Sequence, residues 1–260
     1  MNFAQLWPRG DQVEIETHVN GLDLAARAPT HRPYTVVNFV SSLDGRATVQ
    51  SRSGGLGDDG DKALFRALRR SADAVVVGTG TLAAERYGRI VADPEARARR
   101  VARGLSAEPL ACTLTRSGLL PLEIPLFAEP EAEIVVFSGA PVDLTGVRAR
   151  VEVVRLGREQ LNFTAALAHL RAKRGVRSLL CEGGPSVFGA LMREGVVDEM
   201  FLSLAPKLAG GGSGPAITTG PELPEPLAVT LDAVLERAGT LFLRYGFTQD
   251  RFAEVAGVPQ

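Results

Sequence analysis

The chain contains 260 residues, of which 45% are hydrophobic and 23% are charged, a composition typical of globular proteins. Its 29 basic and 30 acidic residues give a net charge of −1, which excludes a general electrostatic attraction to nucleic acid or to an anionic membrane surface. A chain of this length can bury a sizeable core, so it needs neither disulfide bonds nor a structural metal ion.

Cysteines and histidines are few. Cys112 and Cys181, the only cysteines, lie inside apolar runs and are expected to be reduced core residues. The three histidines are scattered, with no pair at the spacing of metal ligands, so the sequence predicts no metal site. No apolar segment approaches the roughly 18 residues of a membrane span, and the first residues lack the pattern of a signal peptide, so we expect a cytoplasmic protein.

The first 32 residues show no hydrophobic period and predict an extended N-terminal arm. From residue 33 onward, short β-branched runs alternate with amphipathic segments. Helices are predicted to begin near Asp58, Phe163 and Pro185. The arginine-rich stretch 92–104, together with Arg89, is interpreted as a solvated helix or loop. The predicted strands of this part are residues 34–40, 73–77, 110–114, 133–137, 151–154 and 178–181.

The last predicted elements are three strands with no helix between them, residues 199–205, 228–236 and 240–247. Strand–helix alternation followed by strands alone predicts an α/β fold whose mixed sheet is parallel first and antiparallel at its end. We expect one domain over residues 33–250, with a C-terminal tail of residues 251–260. Apolar side chains at both even and odd positions of 200–205 predict a strand buried on both faces.

Ligands of open α/β sheets bind beyond the carboxyl ends of the strands, so functional residues are expected in the turns at strand ends. Gly183 and Gly184 lie between the strand 178–181 and the helix that begins at Pro185. Glycines let a pyrophosphate approach the backbone, and the amides of a helix start can hold it. The same pattern suits a tight turn that needs glycine for steric reasons alone. It is not the G-x-G-x-x-G fingerprint of an ordinary Rossmann domain.

Three further turns follow predicted strands. Residues 79–81 offer hydroxyl and amide donors, and residues 115–117 place an arginine between two hydroxyls. The guanidinium fork matches phosphate oxygens, so the second turn suits a phosphomonoester, although Thr-Arg-Ser-Gly is also an ordinary turn sequence. In the third turn, Asp44 can accept N–H groups from a polar substrate or simply close the turn through its own side chain.

Taken together, these turns resemble the riboflavin-biosynthesis pyrimidine reductase family. The resemblance covers residues 33–247 and rests on four segments: 38–46 (NFVSSLDGR), 76–82 (VVGTGTL), 181–186 (CEGGPS) and 197–207 (VDEMFLSLAPK). The family is the reductase domain often fused behind a deaminase, and it has the dihydrofolate-reductase-like fold. Residues 1–32 lack the H-x-E and P-C-x-x-C zinc ligands of that deaminase, so a stand-alone reductase is expected.

The resemblance implies NADPH as cofactor and a homodimer as the assembly. It assigns the pyrophosphate loop to Gly183, Gly184, Pro185, Ser186 and Val187. It assigns a second cofactor contact to Thr79, Gly80 and Thr81, and the adenosine 2′-phosphate site to Thr115, Arg116 and Ser117. Ser42 and Asp44 match the loop that lies between the nicotinamide and the substrate.

On the substrate side, the resemblance assigns Ser53, Arg69 and Glu182 to the phosphoribosyl-pyrimidine. Two departures from the family pattern also fall here. Asn38 replaces the family's basic residue on the first strand, and residues 85–89 replace an Asp-Pro-x-Leu-x-x-Arg stretch. Glu85 matches an acidic position beside the reacting centre that is usually Asp. These departures leave the identity of the substrate open, but not the binding of the cofactor.

The implied reaction is hydride transfer from NADPH to C1′ of 5-amino-6-(5-phosphoribosylamino)uracil, or of its 2,5-diamino pyrimidinone precursor, to give the ribityl product. A carboxyl group or a water must deliver one proton, and Asp44 and Glu85 are the candidate catalytic residues. Three alternatives remain open: a dihydrofolate reductase-type enzyme on the same fold, a catalytically silent NADP-binding homologue, and a phosphosugar or nucleoside transferase. The last has no supporting base or metal motif.

Overall fold

The computed structural model describes residues 1–49, 54–157, 159–210 and 214–247, and the chain divides into two units. The first unit comprises Met1–Asp23, Thr35–Leu68 and the chain from Gly183 onward; the second comprises Leu24–Tyr34 and Arg69–Glu182. Ser53 and the expected C-terminal tail 251–260 lie outside the described residues.

The described elements alternate between strand and helix over most of the chain. In chain order they are β1 (Asn2–Trp7), β2 (Gln12–Glu14), α1 (Ile15–Gly21), β3 (Tyr34–Ser42), α2 (Asp59–Ser71), β4 (Ala74–Val76), α3 (Thr79–Ala84), α4 (Pro94–Ala102), β5 (Leu110–Thr115), α5 (Pro125–Ala128), β6 (Glu133–Ser138), β7 (Arg150–Arg155), α6 (Phe163–Arg174), β8 (Ser178–Cys181), α7 (Pro185–Arg193), β9 (Glu199–Ala205), β10 (Val229–Arg237) and β11 (Thr240–Phe247).

Strands of the first unit follow the order β2-β1-β10-β11-β9-β3. The neighbours from β2 to β9 are antiparallel, whereas β9 and β3 run parallel with Ser42 opposite Ala205. On one face of this sheet, the ring of Phe242 lies close to Gly60 of α2. On the other face, Phe39 packs against Phe188 of α7, with the ring centroids 5.3 Å apart. The mixed sheet flanked by helices, with its antiparallel C-terminal strands, is therefore confirmed.

Strands of the second unit follow the order β8-β4-β5-β6-β7, and all of them are parallel. Val76 lies opposite Cys112 on one side and Cys181 on the other. Strands β4, β5 and β8 are buried on both faces, as expected of a parallel sheet covered by helices, whereas the edge strand β7 is only partly buried. The predicted strands of this part of the chain are confirmed.

Helix boundaries agree with the capping signals in the sequence. Asn162 caps α6 by accepting a 2.8 Å hydrogen bond from the amide of Ala165, and Gly175 ends the helix in the left-handed conformation, with φ 65°. Pro185 occupies the first turn of α7. Both cysteines are free and buried, as predicted. None of the helices in the described residues is long and apolar enough to cross a membrane.

Residues 1–32 contain regular structure that the sequence does not predict. Strand β1 pairs with β10 and β2 pairs with β1, and helix α1 follows. Phe3 is 1% exposed and its ring meets Phe242 edge-on at 4.8 Å. The strands are short, and β10 lies more than 200 residues further along the chain, so a local pattern cannot reveal the pairing. Helices α3 and α5, of 6 and 4 residues, are too short to show a hydrophobic period.

The interpretation of residues 92–104 as a solvated face is wrong at Arg100. This residue of α4 is 1% exposed, and its guanidinium donates to the carbonyls of Arg69 (3.1 Å), Arg70 (2.8 Å) and Ala72 (2.9 Å) at the end of α2. The Arg89 side chain is partly buried, at 18% exposed, and it forms ion pairs with Glu108, Glu129 and Glu131. These arginines hold elements together instead of facing solvent.

Strand β9 is buried less completely than predicted. Met200 and Phe201 are 8% and 5% exposed, but Leu202 and Leu204 stay partly exposed. Both leucines point to the face on which Leu241 and Leu243 of β11 are also partly exposed. One face of this antiparallel sheet is therefore apolar and incompletely covered within a single chain.

Candidate active site

In the second unit, strands β4, β5 and β8 present their carboxyl ends at one edge of the sheet, because they are parallel and in register. Helix α3 follows β4, the turn 115–117 begins where β5 ends, and Glu182 follows β8. Helix α3 contacts β5. The structure thus brings the two predicted cofactor segments of this unit to the edge at which open α/β sheets bind ligands.

Residues 79–81 form the first turn of α3 instead of the loop that the sequence suggested. The N-cap residue, Gly78, has no side chain that could accept a hydrogen bond from the first amides of the helix. The first helical hydrogen bond runs from the amide of Leu82 to the carbonyl of Gly78 at 2.9 Å. Among the described residues, the amides of 79–81 have no protein acceptor. They are therefore open to an oxygen-rich ligand.

The three residues of the turn 115–117 have different contacts. The Thr115 hydroxyl donates to the carbonyl of Leu119 and accepts from the amide of Gly118, each at 3.1 Å, so this hydroxyl closes the turn. Ser117 accepts a longer, 3.3 Å bond from the amide of Leu119. Arg116 is exposed, and no hydrogen bond or ion pair engages its guanidinium in the described part of the chain. Arg116 is the residue of this turn that can bind a phosphate.

Arg69 and Glu182, both expected to bind substrate, bind each other. The Glu182 side chain is 1% exposed and accepts hydrogen bonds from Arg69 Nε at 2.6 Å and Nη2 at 2.7 Å. It also accepts a 2.7 Å bond from the Tyr87 hydroxyl. Burial favours the neutral form of Arg69, but the adjacent Glu182 carboxylate outweighs it and raises the Arg69 pKa. The pair is a buried, bidentate salt bridge.

In the first unit, the turn between β8 and α7 is confined by the ring of Phe39. Gly183 has φ 93°, a conformation that favours glycine, and a Cβ there would lie 3.2 Å from Phe39 Cζ. Gly184 caps α7 without a side-chain hydrogen bond, and the peptide bond between the two glycines is cis. The amides of Val187 and Phe188 donate to the Gly184 carbonyl at 2.9 and 3.1 Å.

The amide of Ser186 has no acceptor within the described residues, and its side chain is exposed. Pro185 has no N–H to donate, and Val187 is 9% exposed. This helix start therefore offers backbone close to solvent, with a free amide and with no side chain at the two glycine positions. Such an arrangement fits the close approach of a pyrophosphate.

Asp44 fastens two loops of the first unit. Its Oδ1 accepts the Ser42 hydroxyl at 2.5 Å and the amide of Ala209 at 3.0 Å, and its Oδ2 accepts the amide of Gly210 at 2.8 Å. The hydrogen bond from Ser42, followed by those from the two amides, lowers the pKa of Asp44 to about 2. At neutral pH Asp44 is therefore an ionised acceptor with no proton to deliver.

The remaining substrate-side residues are placed differently from one another. Asn38 lies in the middle of β3, is 8% exposed, and its Oδ1 has no hydrogen-bond partner among the described residues. Glu85 is exposed at the C-terminal end of α3 in the second unit. Within the described residues, no cluster of three or more His, Cys, Asp or Glu side chains is arranged to hold a metal ion.

Sequence reasoning missed Tyr87 and Phe39 as parts of this site. Tyr87 belongs to the stretch in which the chain departs from the family pattern, so no motif marks it. Phe39 reads as one of several apolar residues of a buried strand, and only its contact with Gly183 distinguishes it.

The opposite edge of the second unit carries a cleft of about 700 Å³ at the amino ends of its strands. Its charged side chains pair with one another: Arg89 with Glu108, and Arg174 with Glu133. It is remote from the carboxyl ends of the strands, and its charges are already neutralised, so it is not a candidate for the chemistry.

Comparison with known proteins gives one consistent answer. Residues 33–241 match the family model described as the RibD C-terminal domain. The 2,5-diamino-6-ribosylamino-4(3H)-pyrimidinone 5′-phosphate reductase of Archaeoglobus fulgidus is 31% identical over 192 residues, which cover 73% of this chain and 87% of that protein. The enzyme of the same name from Methanothermobacter thermautotrophicus is 26% identical over 212 residues, 81% of this chain and 94% of that protein.

A solved structure agrees over most of the chain. The pyrimidine reductase-like protein of Corynebacterium diphtheriae superposes with a TM-score of 0.73 at 25% identity, and the match covers 91% of this chain and 99% of that protein.

Proposed function

We propose that this chain, which belongs to the RibD C-terminal domain family, reduces a phosphoribosylamino-pyrimidine with NADPH. As a member it is an oxidoreductase of the riboflavin-biosynthesis type, and its hydride source is a nicotinamide cofactor. The proposed substrates are the 2,5-diamino pyrimidinone for which its relatives are named and 5-amino-6-(5-phosphoribosylamino)uracil. In both, the ribosyl chain is reduced to ribityl at C1′.

One observation carries the cofactor part of this proposal, namely the open backbone where α7 begins. Gly183 cannot carry a side chain without meeting Phe39, and the amide of Ser186 is unoccupied by protein acceptors in the described residues. We assign the pyrophosphate to residues 183–187 and a second cofactor contact to residues 79–81. Both segments fit a diphosphate ligand, because each offers free amides beside a glycine.

The preference for NADPH over NADH is proposed from Arg116. Its exposed guanidinium follows β5, and Ser117 beside it is also exposed. A planar, permanently charged guanidinium can donate two parallel hydrogen bonds to a phosphomonoester such as the adenosine 2′-phosphate of NADPH, which NADH lacks. Thr115 supports the turn by closing it.

When bound, the nicotinamide supplies the hydride that reduces C1′ of the substrate. The protein's own groups bind, orient and supply a proton. Ionised Asp44 orients the loop after β3 and is not the proton donor, which leaves Glu85 as the proposed carboxyl donor and water as its alternative. Asn38 and Ser53 are proposed to contact the phosphoribosylamino-pyrimidine substrate.

Asn38 also favours a second candidate, the reduction of dihydrofolate on the same fold. The position is neutral here, and its buried amide oxygen has no partner among the described residues. A neutral acceptor suits a ring N–H as well as a ribose hydroxyl, so this residue does not select the phosphorylated substrate by charge.

We propose a homodimer formed through the partly exposed apolar face of the first unit's sheet. Leu202 and Leu204 of β9 and Leu241 and Leu243 of β11 lie side by side on that face. A contiguous apolar patch on a sheet face is typical of a protein–protein interface. Sedimentation of the wild-type protein beside Leu202→Asp and Leu243→Asp tests it: the proposal expects a dimer that these changes convert to monomer.

One assay separates the functional candidates. Oxidation of NADPH is followed with the pyrimidinone phosphate, the uracil phosphate and dihydrofolate as substrates, and with NADH in place of NADPH. The proposal expects the highest kcat/KM for a phosphoribosylamino-pyrimidine with NADPH. A higher kcat/KM for dihydrofolate would favour the second candidate, and NADPH binding without turnover would reject both.

A further inference from the structure

Tyr87 contacts the carboxylate that immediately precedes the glycine turn. Its hydroxyl donates a 2.7 Å hydrogen bond to Glu182 Oε2, the same oxygen that accepts Nη2–H of Arg69. Glu182 Oε1 accepts Nε–H of Arg69 at 2.6 Å. Because two carboxylate oxygens receive three donors and the side chain is 1% exposed, contacts within the protein fix its orientation.

The backbone of Tyr87 is held by two hydrogen bonds of its own. The amide of Tyr87 donates to the carbonyl of Leu82 at 3.2 Å, and its carbonyl accepts from the amide of Leu126 at 2.9 Å. The Arg69 guanidinium lies 5.3 Å from the centre of the Tyr87 ring. Tyr87 therefore connects the segment after α3 to the end of β8.

At neutral pH, Tyr87 and Arg69 are both protonated and act as hydrogen-bond donors to Glu182. Burial, and then the negative charge of Glu182, raise the Tyr87 pKa well above its ordinary value of 10.0, so the phenol keeps its proton. Arg69 stays cationic beside Glu182. Tyr87 is a permanent donor to the carboxylate and not a source of protons for the reaction.

The backbone of Glu182 is anchored independently of its side chain. Its amide donates to the carbonyl of Val76 at 3.1 Å, which continues the pairing of β8 with β4 by one residue. The next residue, Gly183, is already in the left-handed region, with φ 93°. Side-chain and backbone contacts together therefore fix Glu182, the residue that precedes the glycine turn.

We infer that Tyr87 is a positioning residue for the cofactor, acting through Glu182 on the Gly183-Gly184 turn. The inference rests on the proposed function, in which this turn holds the pyrophosphate. It gives Arg69 and Glu182 a new role, since both shape the turn instead of contacting the substrate. It also gives a purpose to the stretch 85–89, in which this chain departs from the family pattern.

Tyr87→Phe tests the inference, because it removes one hydroxyl and keeps the ring beside Arg69. The Kd for NADPH, measured by calorimetry without any pyrimidine, is expected to rise about tenfold, the effect of losing one hydrogen bond to a charged group. At saturating NADPH, kcat is expected to stay within about twofold of wild type, since only cofactor binding is impaired. An unchanged Kd together with a lower kcat would overturn the inference.

Tyr34→Phe is the matched control. Tyr34 is another tyrosine of the second unit with an arginine beside its ring, Arg27 at 4.4 Å, but it is buried at the start of β3. It is expected to leave the Kd for NADPH within about twofold of wild type. An equal loss of affinity in both variants would mean that any buried hydroxyl has this effect, and would reject the inference.

A double-mutant cycle tests whether Tyr87 acts through Glu182. In a Glu182→Gln background, or Glu182→Asp if the first variant does not fold, Tyr87→Phe is expected to change the Kd by less than about twofold. A full tenfold effect there would overturn the inference. Wild-type protein that fails to bind NADPH would instead reject the proposed function, so the two failures are distinguishable.

Discussion

Asp44 Oδ2 accepts a 2.8 Å hydrogen bond from the amide of Gly210, which joins the loop after β3 to the loop after β9. These two strands are the parallel pair of the first unit, so their carboxyl ends lie side by side. Ser42, the last residue of β3, completes the arrangement through its own hydrogen bond to Asp44. One exposed carboxylate thus determines the conformation of both loops at this edge.

Asp44→Asn should lower turnover while leaving NADPH affinity nearly unchanged. The new amide keeps one acceptor oxygen but places N–H donors where the second carboxylate oxygen accepted a hydrogen bond, so the two loops separate. We expect kcat to fall by roughly tenfold to a hundredfold, the scale of a displaced reacting group, with the Kd for NADPH within about twofold. Asp143→Asn is the control, since Asp143 accepts the amide and hydroxyl of Thr145 in an exposed turn elsewhere. A large loss of NADPH binding in Asp44→Asn would place Asp44 on the cofactor side.

The low pKa of Asp44 predicts how the stability of the protein depends on pH. The hydrogen bond from Ser42, followed by those from Ala209 and Gly210, lowers the pKa to about 2 from an ordinary 3.8. The folded chain therefore binds this proton more weakly than the unfolded chain does. Ionised Asp44 therefore stabilises the fold at pH values above 3.8, the pKa of this carboxyl in the unfolded chain. This contribution is lost as the pH falls toward about 2, the pKa in the folded chain.

Urea unfolding of wild type and Asp44→Asn measures this contribution. The difference in free energy of unfolding should be largest at about pH 7 and should shrink steadily below about pH 4. A difference that stays constant down to about pH 2 would show that the carboxylate charge contributes nothing.

Arg116→Ala should change the choice of cofactor. Losing a charge-assisted hydrogen bond to a phosphate should raise the KM for NADPH by about tenfold to a hundredfold and leave the KM for NADH within about twofold. Arg148→Ala removes another exposed arginine of the second unit and should leave both constants unchanged. Equal effects on NADPH and NADH would show that Arg116 does not bind the 2′-phosphate.

Gly183→Ala should weaken both folding and cofactor binding. Gly146 has a similar φ, 82° against 93°, but a Cβ on Gly146 meets nothing within 4 Å, whereas one on Gly183 meets Phe39 at 3.2 Å. Gly146→Ala therefore measures the backbone cost alone, about 1 kcal/mol. Gly183→Ala should cost about 1 to 2 kcal/mol more in urea unfolding, and should raise the Kd for NADPH. Identical stability and affinity in the two variants would mean that the turn tolerates a side chain.

Much of the fold can be predicted from the sequence, because β4, β5, β6 and β8 are short, largely apolar runs. Capping residues such as Asn162 and Gly175 also mark the ends of α6. Glycine turns and hydroxyls at strand ends likewise identify the candidate cofactor segments. What cannot be predicted depends on partners far away in the chain. Strand β1 is recognised only through β10, and Glu182 is recognised as a buried ion-pair partner only through Arg69 and Tyr87.

Arg100 and Arg99 show the same limit within one helix. They are neighbours in an arginine-rich stretch, yet Arg100 is 1% exposed while the Arg99 side chain is 52% exposed. Burial lowers the Arg100 pKa to about 10, so it remains cationic at neutral pH. No pattern in α4 distinguishes the two, because the difference comes from the C-terminal carbonyls of α2, which need a donor.

Arg100→Ala should therefore destabilise the protein by about 3 kcal/mol in urea unfolding, since it leaves several buried carbonyls without a donor. Arg99→Ala should change the free energy of unfolding by less than about 0.5 kcal/mol, as expected of an exposed ion pair. Arg100→Lys should fall between them, because one ammonium can replace Nη1 at the α2 carbonyls but cannot also replace Nε, which donates to the carbonyl of Ser106. Arg100 also contacts the carbonyl of Arg69, whose side chain holds Glu182. The folded Arg100→Ala protein should consequently bind NADPH more weakly than Arg99→Ala, and equal Kd values would show that the end of α2 does not influence the glycine turn.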